Sequence, residues 1–306
     1  MSDVTILAEG LKFPEGPIAM PDGSVLLVEI ARGTLSRVHN GKTEVVAELG
    51  GGPNGAAIGP DGAVYVCNNG GFQWIERNGR IFPGEEPENY AGGRIEKVNL
   101  RTGKSEILYT HCQGQPLRGP NDLVFDRQGG FWFTDHGKTR SRERDRTGVF
   151  YAKADGSHIR EVLFPLEGPN GIGLSPTEDE LYVAETMTGR VWAYAIASPG
   201  VLKTERRDRP DGGRLLRGRS GYFLFDSLAV DARGNVCIAT IFDGGITVLS
   251  PSGGEPGFVT MPDPLTTNIC FGGKDLQTAF ITLSSFGQLV STPWPTPGLK
   301  LNYQLL

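Results

Sequence analysis

No stretch of this sequence sustains an apolar period of 3.6 residues, which argues against a helical fold. No apolar run is long enough to span a membrane. The first ten residues, Met1 to Gly10, lack the basic region and apolar core of a secretory signal, so neither export nor a membrane is expected. Charge is scarce: charged residues make up 21% of the chain, and the net charge is −5. The densest basic stretch, Arg140 to Arg146, is interrupted by Glu143 and Asp145. It reads as a solvated loop, and nucleic acid is not an expected partner. Cysteine is limited to Cys67, Cys112, Cys237 and Cys270, with no CxxC or Cys/His metal spacing. These are expected to be buried thiols of a reduced, cytoplasmic protein. Phosphate loops, dinucleotide fingerprints and a Ser-His-Asp arrangement are also missing.

Turn chemistry is abundant. Glycine occurs 44 times and proline 21 times, between short runs rich in Val, Ile, Leu and aromatics. That mixture predicts an all-β domain with many tight turns. One phrase recurs: Gly119-Pro120-Asn121-Asp122, an apolar strand, a Gly turn at Gly129, and a second apolar strand to Asp135. Six such starts are visible, led by Glu15, Asn54, Asn121, Asn170, Asp226 and Asn268. Most of the separations are near the ~40–50 residues of a four-stranded propeller blade. The whole chain, 1–306, therefore reads as one six-bladed β-propeller domain.

Blade six lacks a fourth strand, because Pro293-Trp294-Pro295 cannot sit in a ladder. The unassigned N-terminal strand, Val4 to Ala8, is expected to complete it and close the ring. The longer separations mark insertions. Residues 71–92, with Phe72, Trp74, Phe82 and Tyr90, follow the second strand of blade two, and 136–146 follow that of blade three. Both leave the ring on the side of the lead residues, either as a cover over a pocket or as surface loops. Residues 206–222 are expected to separate blades four and five.

In a propeller the first strand of each blade lines the channel, so the six lead residues converge at one mouth. All six offer oxygen, and none offers sulfur or imidazole. Two carboxylates with amide oxygens between them suit a hard divalent cation, Ca2+ best, with Mg2+ or Mn2+ behind and Zn2+ less natural. Asn and Asp beside Gly or Pro also cap turns. Glu15 and Asp226 read as ligands, because Glu is a poor turn residue and Asp226 has no Gly or Pro beside it. On spacing alone Asn121 and Asn170 fit a ligand and a turn cap equally, while Asn54 and Asn268 read as turn or supporting groups. Asp22, Asp61, Asp126 and Asp231 read as hairpin-turn residues at the opposite end.

These residues carry a family resemblance that spans nearly the whole chain. Glu15-Gly16-Pro17, Pro120-Asn121-Asp122 with Phe133-Thr134-Asp135, Pro169-Asn170-Gly171, Asp226-Ser227 and Thr267-Asn268 resemble the gluconolactonase/regucalcin (senescence marker protein) family, which includes luciferin-regenerating enzyme. The resemblance implies one divalent ion in the channel, with Glu15, Asn170 and Asp226 as protein ligands. It makes Asn121 a metal or substrate position. The implied partner is a small-molecule lactone, and the implied activity its hydrolysis, with Asp226 accepting the proton of an attacking water. Three departures bear on specificity: Ser227 stands where many members have Gly, His136 where many have Pro, and Arg118 is offset from Pro120. Arg118, Asn121, His136 and Trp74 are the expected substrate contacts. His136 serves as a second acid or base if its loop folds over the mouth, and is otherwise an exposed loop residue.

Two other functions compete with this one. The same metal propeller could act on another ester or an organophosphate, and a bare binding scaffold would need no carboxylates at its hub. Nothing in the pattern sets an oligomeric state.

Overall fold

Short runs of branched and aromatic residues separated by Gly turns favour antiparallel hairpins. In the computed structural model, which describes residues 4–218 and 221–305, every regular element longer than a turn is a β-strand. Six antiparallel sheets form the ring. Blade one is Pro14–Ala19, Val25–Glu29, Thr34–His39 and Lys42–Glu48. Blade two is Pro53–Ile58, Val64–Asn68, Arg94–Val98 and Ser105–Tyr109. Blade three is Pro120–Phe125, Gly130–Asp135, Thr147–Lys153 and Ile159–Leu166. Blade four begins with Pro169–Leu174, Glu180–Glu185 and Arg190–Ser198. Blade five is Leu224–Val230, Val236–Ile241, Gly245–Leu249 and Gly257–Thr260. Blade six is Thr266–Gly272, Thr278–Leu283 and Gln288–Pro293, completed by Thr5–Ala8.

The N-terminal strand thus closes the ring, with Thr5 opposite Ser291 and Ile6 opposite Val290. The reading of 206–222 as a separator is corrected. Arg214–Gly218 pairs with Arg190–Ala193 and, together with Val201–Leu202, supplies the split outer strand of blade four. A two-residue contact could not cover the full length of the third strand, so the chain returns to finish the edge.

The core lies between blades. Tyr65, Cys67 and Ile95 of blade two pack on Phe125, Phe131 and Phe133 of blade three. Trp132 and Tyr151 meet Leu181 and Trp192 at the next interface. Leu11, Val25, Leu27 and Leu289 fill the seam where blade six meets blade one. Second strands are covered on both faces, which explains their near-continuous apolar character. At the lower end, Asp22, Asp61, Asp126 and Asp231 each accept a backbone N–H two residues on, at 2.9–3.2 Å, as hairpin-turn residues.

Inner strands approach one another closely at the axis. A Cβ on Gly171 would lie 2.7 Å from both Asp226 O and Leu228 N. A Cβ on Gly55 would meet Asn121 O and Asp122 in the same way. Gly171→Ala is therefore expected to destabilise the ring by about 1–3 kcal/mol through overpacking, read as a lower denaturant midpoint at unchanged slope. The C-terminal segment crosses the lower mouth. Asn302 Nδ2 donates to Phe125 O, and Gln304 Nε2 donates to Phe271 O. Above this plug lies an apolar channel cavity of about 240 Å³, lined by Ile18, Phe125, Leu174, Val230 and Phe271.

Candidate active site

Each inner strand slips register at or just after its lead residue: between Glu15 and Ile18, Pro53 and Gly55, Pro120 and Leu123, Pro169 and Ile172, Phe225 and Leu228, and Thr266 and Asn268. Such irregularities re-aim side chains. They recur at the six positions that the repeat singled out. A second device holds the approach to four of these strands. The last residue of the second strand, Glu29, Asn68, Asp135 or Glu185, is buried and accepts a backbone N–H from the loop before the inner strand. The partners are Lys12, Gly52, Gly119 and Glu167, at 2.7–3.0 Å. The sequence reading missed this anchor, although an acidic or amide residue closing an apolar strand is its visible sign.

All six lead residues are buried. Asn268 Nδ2 donates to Glu15 Oε2 at 2.6 Å, and Gly16 N donates to the same oxygen at 2.8 Å. Asn170 Nδ2 donates to Thr186 Oγ1 at 3.1 Å, leaving its oxygen toward Ser227 Oγ, which donates at 3.4 Å. Asn121 Oδ1 is buried without a hydrogen-bond partner. Asn54 Oδ1 accepts from Asn69 Nδ2 at 2.9 Å. Four of the lead residues therefore meet: Asn268 donates to Glu15, and Asp226 feels the charge of Glu15 and a hydrogen bond from Asn170.

A third carboxyl, Asp122, belongs to this cluster and was not singled out as a site residue. It accepts hydrogen bonds from Leu123 N–H, Ile172 N–H and Ser227, so it reaches from blade three to blades four and five. Gly55 of the preceding blade leaves it room, since a Cβ there would lie 2.9 Å from Asp122 Oδ1. Desolvation dominates all three. Burial raises Glu15 to about 7, against hydrogen bonds from Asn268 and Gly16. Burial and the Glu15 charge raise Asp122 to about 8. Burial, then the charge of Glu15, pushes Asp226 well above the usual carboxylate range. Among the described residues no three His, Cys, Asp or Glu side chains gather tightly enough to hold a metal ion by themselves, so a cation here would have to draw on amide oxygens as well.

The two insertions meet above the mouth. Trp74–Arg77 and Arg80–Pro83 form a hairpin that leaves blade two and passes over blade one. The Trp74 ring lies 5.2 Å from that of Phe13, and the Arg80 guanidinium lies over Phe286 of blade six at 4.1 Å. Glu86 N donates to Thr139 O, and Arg140 bridges Glu86 and Asp145, joining this cover to the blade-three loop. Trp74 is thus half-buried in the cover. Arg118 is exposed at the rim, with its backbone N–H held by Asp135. His136 is not an exposed loop residue. It is half-buried beside blade four, hydrogen-bonded to the Pro169 carbonyl, and its Nδ1 has no partner. Burial, with Arg144 and Lys138 nearby, pushes its pKa well down and keeps it neutral. Lys138 is almost wholly buried under the cover, and burial lowers it to about 7 against the opposing charges of Asp135, Glu86 and Asp145.

Several known proteins are similar to this chain. A gluconolactonase from Zymomonas mobilis is 27% identical over 92% of this chain and 79% of its own length. The lactonase drp35 of Staphylococcus epidermidis is 26% identical over 86% of this chain and 72% of its own. Among solved structures, a gluconolactonase from Xanthomonas campestris superposes with a TM-score of 0.74 at 22% identity, covering 95% of this chain and 89% of that one. The calcium-binding protein regucalcin from Agrobacterium tumefaciens gives 0.74 at 16% identity, covering 99% and 98%. At those identities the two structures speak for the six-bladed fold. Residues 13–285 match the SMP-30/Gluconolactonase/LRE-like region, from the first lead strand to the top of blade six, and the chain belongs to that family.

Proposed function

We propose that this chain is a divalent-metal-dependent hydrolase that opens a lactone at the upper mouth of the channel. One observation carries the reading: three buried carboxyls, Glu15, Asp122 and Asp226, face one another's charge, and beside Asp122 in the chain a buried amide oxygen, Asn121 Oδ1, has no partner. Such a cluster is costly unless a cation compensates it. Glu15, Asn121, Asn170 and Asp226 would hold the ion, and an all-oxygen set of carboxylates and amides fits Ca2+ best. A cation there would supply Lewis-acid polarisation of the lactone carbonyl.

The chain's own groups do the rest. Asp226 accepts the proton of the attacking water. Arg118 at the rim, Asn121 in the channel, neutral His136 and Trp74 in the cover contact the substrate. The cover limits water at the mouth. The free thiols of all four cysteines suit a cytoplasmic protein. The relatives named as lactonases support the substrate class.

The deciding experiment is a panel of lactones assayed on metal-stripped protein reconstituted ion by ion. Hydrolysis should vanish on stripping and return most fully with Ca2+. Full activity in the stripped protein would reject the reading.

A further inference from the structure

Two lead amides meet the side chain that follows the anchor residue of their own blade, and they meet it with opposite polarity. In blade four, Asn170 donates to Thr186 and turns its oxygen toward Ser227. In blade two, Asn54 accepts from Asn69 through its oxygen. The second orientation is fixed by groups that only donate at this point. Asn69 Oδ1 accepts from Gly71 N at 2.7 Å and from Lys138 Nζ at 3.2 Å. Reversing the Asn69 amide would set its NH2 against the Gly71 N–H, which can only donate, and against the donor hydrogens of Lys138. Its NH2 therefore faces Asn54, which must answer with its oxygen. Asn54 is left with Nδ2 as its free group, at a lead position in the ring that holds Glu15, Asn170 and Asp226.

Lys138 stands behind this chain. It is 1% exposed, donates also to Gly71 O, and lies 4.3 Å from the centroid of the Phe72 ring. A buried amine that donates at one end of a hydrogen-bonded chain polarises it and strengthens the donor at the other end, most when it is protonated. Asn54 is thereby unsuited to a cation, which needs its oxygen, and suited to an oxygen that gains negative charge.

We propose that Asn54 Nδ2 donates to the lactone carbonyl oxygen as negative charge develops on it, with Asn69 and Lys138 as the positioning residues that hold the amide in that orientation. This rests on the lactonase reading. A donor aimed at developing charge acts on kcat more than on KM.

The test is steady-state lactone hydrolysis by the Ca2+-loaded protein. Asn54→Ala should lower kcat by about 10²-fold, with KM nearly unchanged. Ca2+ affinity, measured by calorimetry, should not move. Asn69→Ala and Lys138→Met should each lower kcat by about ten-fold, and neither should add to the loss in an Asn54→Ala background. If Lys138→Met does not fold, the Asn54–Asn69 pair carries the same cycle. Additive losses, a raised KM at unchanged kcat, or weakened Ca2+ binding in Asn54→Ala would overturn the proposal. A Ca2+-loaded wild type that opens no lactone overturns the lactonase reading and the donor role together. An active wild type with a silent Asn54→Ala overturns the donor role alone.

Discussion

Asp226→Asn is expected to lower kcat/KM for lactone hydrolysis by about 10³-fold or more, while the metal-free protein becomes harder to unfold. Both effects come from the same carboxyl. Asp226 is buried beside Glu15 and Asp122, and each of the three disfavours charge on the others. An amide keeps the shape and removes one member of that repulsion, so the stripped fold should gain stability. The same change removes the group proposed to accept the water's proton and half of the carboxylate charge proposed to hold the cation. Added Ca2+ should raise the melting temperature of the wild type and leave that of the variant nearly unmoved. The comparison needs kinetics and thermal unfolding on both proteins, with chelator and with Ca2+. A variant that hydrolyses lactones at the wild-type rate sinks the assignment of Asp226, and one that is less stable than wild type in chelator contradicts the repulsion.

Metal-free protein should also lose stability as pH rises from about 5 to 7. At pH 4 the Glu15 carboxyl is mostly protonated in both the folded and the unfolded chain. Between the ordinary carboxylate range and about 7, the unfolded chain has released the Glu15 proton and the folded chain has kept it. The folded state binds more protons there, so stability falls with rising pH. A shift from 4.5 to about 7 corresponds to about 3 kcal/mol for this one buried group. In melting temperature that is on the order of 10 °C. Lys138 runs the other way. Its folded value is depressed to about 7, so stability rises with pH above that point and should flatten the decline. Ca2+ held as proposed would bind the ionised cluster, so its stabilisation should grow over the same interval. Thermal scans from pH 5 to 9 in chelator and in Ca2+ test this. A melting temperature independent of pH in chelator, or a Ca2+ effect larger at pH 5 than at pH 8, is the contrary result.

The same residues show how far the sequence carries. A blade is built from contacts between neighbouring strands, so its signature is local and repeats: a Gly-Pro turn, a lead residue, two apolar strands and an Asp turn. Counting those phrases was enough for six blades, and the missing fourth strand of blade six was enough for closure by Thr5–Ala8. The lead residues were equally legible, because they alone vary where the repeat is otherwise constant. The split outer strand of blade four was not legible. Arg214–Gly218 is too polar and too short to stand out from a loop, and only the open edge of Arg190–Ser198 recruits it.

The sequence by itself determined the ring, its closure and the identity of the six buried residues that lead the inner strands. The tertiary structure alone decided what each of them presents. Glu15 is held by Asn268, 253 residues away. Asp122 joins the carboxyl cluster beside Gly55, where a Cβ would press on its carboxyl. Asn54 is turned by Asn69, which is turned in part by Lys138 from the next blade. An amide looks the same in any sequence. Whether it offers oxygen or nitrogen depends on which donors and acceptors lie beside it, and in a ring those come from distant parts of the chain.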